Sequence, residues 1–387
     1  KPMKTTSDFI AKRFRSIDAG LSLDTEALAR YNDVIDLSIG DTDFITDDAI
    51  IDAAFHDAKA GYTHYGTPMG DPELIHAVCA AWQEDFRQPL TPDHVLITAS
   101  SCLGMALVMM AILDPGDEVI VFSPYFSLYR NQIELAGGVC VEVPTYAEEG
   151  WAVDETRLQA AITPKTKAII FNNPCNPTGM GYERKTLELL GRVAEEHDLL
   201  IAADEIYTTY LYEGEFIPIR TLPGLAKRVI TLNSFSKNFL MTGWRVGAII
   251  AEPELLRAMN DVNNCLIYTA PSISQRAAIK ALSIREDIRK NYVSAYRDRI
   301  FYAADRIEKI PYLSLVRPKG TFYLFPGIEK TGLSDTEFCK ALLERAHIMV
   351  SPGGVFGSTG AHCFRIACTV GLDHLKEAFD RMEKLSF

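Results

Sequence analysis

Five short apolar runs recur along the middle of the chain, and none of them alternates with polar residues. The runs are residues 119–122, 168–171, 199–203, 229–232 and 246–250. Apolar runs without alternation are typical of strands whose two faces are both buried. Between two of the runs, residues 183–198 place Leu187, Leu190, Val193 and Ala194 on one helical face. Strands that alternate with amphipathic helices predict an α/β fold with a mainly parallel sheet.

The pattern changes after about Arg285, where long helical periodicities replace the regular alternation of strands and helices. Two strand-like pieces occur there, at residues 321–325 and 362–366. We therefore predict a large domain and a smaller α+β domain, together with an N-terminal segment that packs against the smaller one. The predicted bounds are 1–43 for the N-terminal segment, 44–284 for the large domain and 285–387 for the small domain.

Composition narrows the class of protein. With 387 residues, 48% of them hydrophobic, the chain can bury one large core and a smaller second one. A formal net charge of -12 disfavours nucleic acid or an anionic membrane as the main partner. No stretch approaches the roughly 20 apolar residues that span a membrane. Neither an HExxH motif nor a closely spaced His/Cys set indicates a metal site. These features favour a small-molecule substrate.

The cysteines indicate the cellular compartment. All eight are scattered through the chain, and none forms a Cys-x-x-Cys pair. This usage is typical of reduced thiols rather than of a disulfide framework, so we expect a cytoplasmic protein.

The most informative segment is residues 234–238 (SFSKN), followed by residues 242–247 (TGWRVG). A lone lysine is normally a solvated surface residue. Lys237, however, follows a predicted buried strand, lies among small hydroxyl residues and precedes Arg245 by eight residues. This setting is typical of a lysine that has a lowered pKa and lies beside a bound anion.

Four other segments accompany the lysine segment in order along the chain. They are residues 37–40 (LSIG), 65–74 (YGTPMGDPEL), 172–179 (NNPCNPTG) and 204–207 (DEIY). Together with the Lys237 segment they resemble the motifs of the class I and II aminotransferases, which are fold-type I enzymes dependent on pyridoxal 5′-phosphate (PLP). The resemblance implies a large PLP-binding domain with a mainly parallel, seven-stranded sheet flanked by helices, plus a smaller α+β domain. It also implies transfer of an amino group between an L-amino acid and a 2-oxo acid.

The resemblance assigns roles around the cofactor ring. Lys237 holds PLP as a Schiff base and later moves protons between the substrate and the cofactor. Asp204 ends a predicted buried strand, where a carboxylate can keep the pyridine nitrogen protonated. Tyr207 and Asn176 match residues that hydrogen-bond the ring oxygen, and Phe126 matches the aromatic residue that stacks on the ring. An apolar run ending in Asp-Glu also occurs in nucleotide hydrolases, but the chain has no GxxxxGK[ST] phosphate-binding loop.

The phosphate group of PLP needs fixed positive charge and several hydrogen-bond donors. By resemblance, the side chains of Arg245, Ser234 and Ser236 supply them. Ser101 and Cys102 open a predicted apolar helix and contribute backbone N–H groups.

Two backbone features are expected near the site. Glycine is usual in the family where Ser100 stands, so we expect a tighter or shifted loop there, although serine is also a good helix cap. The peptide bonds Ser123–Pro124 and Asn176–Pro177 are expected to be cis, because both lie in tight active-site turns.

For the substrate, Arg365 in residues 364–366 (FRI) matches the arginine that holds the α-carboxylate with two parallel hydrogen bonds. Gly40 and Asn176 complete the substrate-binding positions that the resemblance implies. A metal ion has no place in this scheme.

The resemblance also bears on the substrate's side chain. Cys265 and Cys102 stand where two groups of aspartate-using relatives carry an arginine and a lysine, respectively. The absence of both charges favours neutral or aromatic amino acids. A mobile arginine that binds glutamate stays open as an alternative, with Arg13, Arg15 and Arg317 as candidates.

The family pattern further implies a homodimer with shared active sites. Tyr65 matches a tyrosine that reaches the phosphate from the neighbouring subunit, and Thr269 lies in a stretch that the partner contributes.

Two rival functions stay open at this point. The same motifs serve PLP-dependent lyases, such as C–S β-lyases and enzymes similar to aminocyclopropane-carboxylate synthase. A non-catalytic, aminotransferase-like sensor is the other rival, but such proteins carry a DNA-binding module that the short segment before Asp36 is too small to hold.

Overall fold

The structure is a computed structural model that describes residues 5–14 and 30–387. Its strands are β1 (Ile35–Asp36), β2 (Val95–Thr98), β3 (Glu118–Ser123), β4 (Val139–Pro144), β5 (Thr166–Asn172), β6 (Leu200–Asp204), β7 (Val229–Ser234), β8 (Gly247–Ile250), β9 (Tyr323–Leu324), β10 (Ile348–Met349), β11 (Ser351–Pro352) and β12 (Phe364–Ala367). Its α-helices are α1 (Asp48–Lys59), α2 (Pro72–Phe86), α3 (Ser101–Ile112), α4 (Leu128–Leu135), α5 (Glu155–Ala161), α6 (Arg184–Glu196), α7 (Phe235–Asn238), α8 (Pro253–Leu266), α9 (Ser272–Ser283), α10 (Arg285–Ile288), α11 (Ser294–Ile307), α12 (Asp335–Ala346) and α13 (Leu372–Met382).

Seven strands form one central sheet in the order β2-β8-β7-β6-β5-β3-β4. The pairs β3–β4, β3–β5, β5–β6 and β6–β7 are parallel, whereas β8 runs antiparallel to both of its neighbours. Each of the five apolar runs coincides with one of these strands, although the runs at 199–203 and 246–250 begin one residue before β6 and β8. The predicted α/β class and the mainly parallel sheet are therefore confirmed.

Both faces of the sheet are covered, as unalternating apolar runs predict. In β3, Val119 and Val121 pack into one hydrophobic cluster, and Ile120 and Phe122 pack into another on the opposite face. The predicted apolar face of α6 belongs to the second cluster, where Leu187 is fully buried. Covering helices leave only the sheet ends open, so the ends of the parallel strands are available for a ligand.

The C-terminal part contains a three-stranded antiparallel sheet in the order β11-β12-β9. The N-terminal strand β1 pairs with β10, with Ile35 opposite Ile348. Ile35 and Leu37 also belong to the hydrophobic cluster of the C-terminal part. These contacts agree with the predicted packing of the N-terminal segment, but the domain boundaries at residues 43 and 284 stay predictions.

Strand positions in this part differ from the sequence prediction. Residues 37–40 resemble the N-terminal substrate strand of the class I and II aminotransferases, but β1 ends at Asp36 and these residues follow it. Strand β9 covers only two residues of the predicted piece 321–325, and β12 begins two residues later than the predicted piece 362–366 and ends one residue beyond it. These short strands are set by pairing with distant segments, which a local apolar pattern does not reveal.

Two further features can be stated for the described ranges. No helix in residues 5–14 and 30–387 has the length and apolar character needed to cross a membrane. The Ser123–Pro124 and Asn176–Pro177 peptide bonds are both cis, as predicted, and so is Asn173–Pro174.

Candidate active site

A cavity of about 740 Å³ opens at the carboxyl ends of the parallel strands. Strands β5, β6 and β7 end at it with Asn172, Asp204 and Ser234. Twelve residues predicted from the sequence line it: Gly40, Ser101, Cys102, Phe126, Asn176, Asp204, Tyr207, Ser234, Ser236, Lys237, Arg245 and Arg365. The fold thus brings together residues that are spread over most of the chain.

Lys237 lies in the single-turn helix α7, which follows β7 directly. Burial lowers the pKa of its amine to about 8, and the positive charges of Arg365 and Arg245 add to this effect, whereas the carboxylate of Asp41 opposes it. The Nζ atom donates a hydrogen bond to the carbonyl oxygen of Gly40. An amine with such a pKa is uncharged often enough near neutral pH to act as a nucleophile or a base.

Asp204 ends β6, and its side chain is buried. Its Oδ2 atom accepts a hydrogen bond from the hydroxyl of Tyr129. Its Oδ1 atom is also buried and has no hydrogen-bond partner in the described part of the chain. Burial raises the pKa of the carboxyl to about 6, while the bond from Tyr129 lowers it. A buried, unpaired carboxylate oxygen is costly, so this atom is suited to receive a donor from a bound ligand.

Asn176 and Tyr207 lie beside this carboxylate. The backbone N–H of Asn176 donates to Oδ1 of Asn172 over 2.6 Å, and Nδ2 of Asn172 donates to the carbonyl of Asp204 over 2.8 Å. These bonds tie the loop after β5 to the end of β6. The hydroxyl of Tyr207 donates to the hydroxyl of Tyr323 over 3.2 Å, and burial raises the pKa of Tyr207 well above its ordinary value. Tyr207 is therefore a protonated hydrogen-bond donor.

The start of α3 forms another wall of the cavity. Ser100 has a φ of 92°, a conformation that suits glycine, and its side chain accepts from the backbone N–H of Leu103 over 3.2 Å. The backbone at Ser100 therefore has a glycine-like conformation while the serine side chain caps the helix. Gly247 allows the close approach, because a Cβ atom there would lie 2.9 Å from the N atom of Ser101.

Hydroxyl and guanidinium groups gather at the same wall. The side chain of Ser234 accepts from the backbone N–H of Ser236 over 3.0 Å. Arg245, whose φ is 55°, donates from Nη1 to the carbonyl of Thr242 over 2.8 Å. Helix-start N–H groups, hydroxyls and a guanidinium together form a set suited to a phosphate.

Arg365, in β12, is 3% exposed. Its Nη1 donates to Oδ1 of Asn176 over 3.1 Å and its Nη2 donates to the carbonyl of Ser38 over 2.6 Å. Its Nε is buried without a partner in the described ranges. The guanidinium carbon lies 4.6 Å from the ring centre of Tyr323 and 4.8 Å from that of Phe356. A buried, planar cation with a free N–H is suited to a carboxylate.

Comparisons with known proteins identify the family. The model of the family "Aminotransferase class I and II" matches residues 32–382. The chain belongs to this family. The aminotransferase is 37% identical to the aspartate aminotransferase of Pyrococcus abyssi, with 92% of each chain covered.

Solved structures agree with this assignment. The Thermus thermophilus aspartate aminotransferase with maleate has a TM-score of 0.91 at 33% identity, covering 97% of this chain and 99% of that one. The aromatic aminotransferase of Pyrococcus horikoshii has a TM-score of 0.89 at 34% identity, covering 93% and 97%. The predicted family, fold and aminotransferase class are confirmed.

Several predicted residues of the aminotransferase lie away from the cavity. Tyr65 is 85% exposed, and its ring meets that of Tyr268 edge to face at 5.4 Å. Cys265 is exposed near the end of α8. Arg317, a candidate for binding a distal carboxylate, instead pairs with Asp305 and Glu308 at the surface. Arg317 does not line the cavity, and two surface carboxylates already neutralise its charge.

The other two arginine candidates fall in the N-terminal segment of the aminotransferase. Arg15 lies outside the described residues, and Arg13 belongs to the short 3₁₀ turn Lys12–Phe14.

Sequence reasoning missed several residues that line the cavity, among them two tyrosines and a lysine. Tyr129 contacts Asp204, Tyr323 contacts Tyr207, and Lys340 of α12 lines the cavity from the C-terminal part. Tyr129 lies three residues after the predicted Phe126, a helical spacing that could have placed both rings on one face. We find no local signal for Tyr323 or Lys340, because their neighbours at the site come from distant parts of the chain.

Proposed function

We propose that this aminotransferase uses PLP, held covalently by Lys237, to move an amino group between an L-amino acid and a 2-oxo acid. One observation carries the proposal: the buried, unpaired Oδ1 of Asp204 lines the same cavity as the lysine whose pKa is lowered to about 8. PLP requires both a carboxylate for its pyridine nitrogen and an uncharged amine for its aldehyde.

The remaining walls fit the other parts of the cofactor. We assign the phosphate to Arg245, Ser234, Ser236 and the backbone N–H groups of Ser101 and Cys102, because these groups surround the helix start. Phe126 would cover one face of the ring. Tyr207 and Asn176 would donate to the ring oxygen. When bound, PLP supplies an electron sink that makes the substrate's Cα–H bond acidic.

Different residues of the chain would then bind the substrate and move its proton. Arg365 binds the substrate α-carboxylate through its planar N–H groups, including the unpaired Nε. With PLP bound, the amine of Lys237 would remove the Cα proton of the amino acid and would deliver a proton to the C4′ atom of the cofactor. The low exposure of Arg365 and Asp204 keeps water away from both ends of the reacting centre.

For the side chain of the substrate, we favour a neutral or aromatic group. Four apolar residues of the N-terminal and C-terminal parts line the cavity: Ile39, Leu343, Met349 and Val350. Lys340 lines the same cavity and favours an acidic side chain as the second candidate. Relatives of both kinds exist, since the comparisons include aspartate and aromatic aminotransferases.

We also propose a homodimer in which Tyr65 completes the partner's phosphate site. The 85% exposed ring of Tyr65 meets the exposed ring of Tyr268, and contiguous exposed apolar surface of this kind is typical of a protein–protein contact. A cytoplasmic location stays a prediction, and the eight free cysteines agree with it.

One experiment separates transamination from the rival functions. The PLP-loaded protein is mixed with single amino acids without an acceptor, and the absorption spectrum of the cofactor is followed. We expect a spectral change that a 2-oxo acid reverses. Irreversible release of ammonia together with pyruvate would identify a lyase instead, and binding without any turnover would identify a sensor. Lys237→Ala is the control, which should bind PLP without covalent attachment and lose Cα-proton exchange.

A further inference from the structure

Tyr129 is the hydrogen-bond partner of the Asp204 carboxylate. It lies in α4, is 2% exposed and donates from its hydroxyl to Oδ2 of Asp204, 75 residues away in sequence. Phe126 packs edge to face against its ring, with the ring centres 5.6 Å apart. Tyr129 lines the cavity together with Asp204. The sequence motifs of the cofactor site did not include it.

We propose that Tyr129 is a positioning residue that keeps Asp204 ionised and turns its Oδ1 atom toward the cavity. The inference rests on the proposed function, because Oδ1 would then hold the proton of the cofactor's pyridine nitrogen. Tyr129 does not touch the reacting atoms, and it acts only through Asp204.

The geometry determines which oxygen is free. Burial raises the pKa of Tyr129 far above its ordinary value, so the phenol stays protonated and can donate to Oδ2 at any physiological pH. The bond from Tyr129 occupies Oδ2. The second oxygen of the carboxylate is the unpaired, buried Oδ1. A phenylalanine would fill the same space without this bond, so packing alone does not explain the hydroxyl.

The groups around Asp204 make the hydrogen bond from the Tyr129 hydroxyl important for the pKa of the carboxyl. Besides Tyr129, the titratable groups that interact with the Asp204 carboxylate in the described part of the chain include Cys102, Cys175, Glu205 and Tyr207, which are neutral or acidic. Among the described residues, the hydrogen bond from Tyr129 is the influence that lowers the pKa of Asp204 against the effect of burial. Removing that bond should move the pKa further upward from about 6 and leave the group largely protonated near neutral pH.

The first test uses the cofactor-free protein with the substitution Tyr129→Phe. The free energy of unfolding is measured from pH 4 to pH 8. Because the folded-state pKa of Asp204 lies above the unfolded value of about 3.9, stability falls as pH rises between the two values and is constant above the folded one. In wild type this fall should end near pH 6. In Tyr129→Phe it should continue at least one pH unit higher.

Matched variants keep the result specific. Tyr125→Phe is the control, because Tyr125 is buried nearby, its ring lies 6.4 Å from that of Tyr129, and its hydroxyl donates to Glu142 over 2.8 Å rather than to Asp204. The pH dependence of the free energy of unfolding of Tyr125→Phe should match that of wild type near pH 6. In an Asp204→Asn background, Tyr129→Phe should no longer shift the profile. A wild-type profile for Tyr129→Phe, or a shift that persists without Asp204, would overturn the inference.

The second test uses the loaded protein and ¹⁵N-labelled PLP. We expect NMR to show a protonated pyridine nitrogen in wild type and in Tyr125→Phe. In Tyr129→Phe the nitrogen should lose its proton at a pH at least one unit lower, with about a tenfold weaker affinity for PLP. If the pyridine nitrogen of Tyr129→Phe lost its proton at the same pH as in wild type, the inference would be contradicted. Failure of all variants, wild type included, to bind PLP would instead contradict the proposed function, while the first test would still report on the Tyr129–Asp204 pair.

Discussion

The Nζ atom of Lys237 donates a hydrogen bond to the carbonyl oxygen of Gly40, although 197 residues separate them in sequence. Gly40 follows the N-terminal strand β1, which pairs with β10 of the C-terminal part, whereas Lys237 follows β7 of the central sheet. A Cβ atom at Gly40 would lie 1.7 Å from the hydroxyl of Tyr323, so only glycine fits there without a shift. The contact joins the amine of Lys237 to the N-terminal segment.

The pKa of Lys237 gives the first prediction. In the cofactor-free protein, labelling of this amine by an acylating reagent should reach half its maximal rate near pH 8, because the uncharged form reacts. The sign is fixed by burial, which lowers the pKa of a lysine. Peptide mass spectrometry measures the labelling.

Asp41→Asn provides the control for that measurement. The Asp41 carboxylate raises the pKa of Lys237, so its removal should move the midpoint below pH 8. A midpoint above pH 10 in the wild-type protein would show that the amine is not shielded from water.

The buried guanidinium gives the second prediction. Arg365→Lys should lower kcat/KM for amino acids about 10²-fold or more, since lysine cannot form two parallel hydrogen bonds with a carboxylate. Arg317→Lys should leave kcat/KM unchanged, because Arg317 is paired with Asp305 and Glu308 at the surface. Steady-state kinetics of both variants checks this. Equal losses of kcat/KM in the two variants would contradict the role assigned to Arg365.

Ser100 gives the third prediction, about stability. Ser100→Ala should lower the free energy of unfolding by about 1–2 kcal/mol, because the cap is lost while the strained φ of 92° remains. Ser100→Gly should cost less than Ser100→Ala, since glycine relieves the strain. Denaturant unfolding compares the two.

A second helix start offers the matched control for Ser100. Ser127 precedes α4 without a side-chain capping bond, so Ser127→Ala should change stability by less than about 0.5 kcal/mol. If Ser100→Gly were the more damaging substitution at Ser100, the strain argument would be wrong.

Tyr65 gives the fourth prediction, about the dimer. Tyr65→Ala and Lys237→Ala should each be nearly inactive alone. Mixed dimers should regain activity, up to about a quarter of wild type, because one site then takes Lys237 from one subunit and Tyr65 from the other. Subunit exchange followed by an activity assay tests this. No recovery in proven mixed dimers would place Tyr65 in its own subunit's site or outside the site.

Local patterns were enough to predict much of the fold. The unalternating runs predicted five of the seven central strands, all except β2 and β4, and the helical face with Leu187 predicted α6, because both features depend on neighbouring residues. The antiparallel direction of β8 and the two-residue extent of β1 could not be obtained in this way. Pairing partners distant in sequence determine both.

The site follows the same division. Lys237 and Arg245 lie in one short segment, so their setting was visible from the sequence. The contact of Tyr129 with Asp204 spans 75 residues, and that of Tyr323 with Tyr207 spans 116. Ser100 was recognised as a departure from the family pattern, but only the backbone showed that serine takes the glycine conformation.

The central claim is that Lys237 carries the cofactor, and reductive trapping tests it most directly. The PLP-loaded protein is treated with borohydride, digested and analysed by mass spectrometry. We predict one phosphopyridoxyl group per chain, attached to Lys237. We predict none when the protein is first exposed to an excess of a reactive amino acid. Modification of a different lysine, or no covalent group on a protein that binds PLP, would contradict the account.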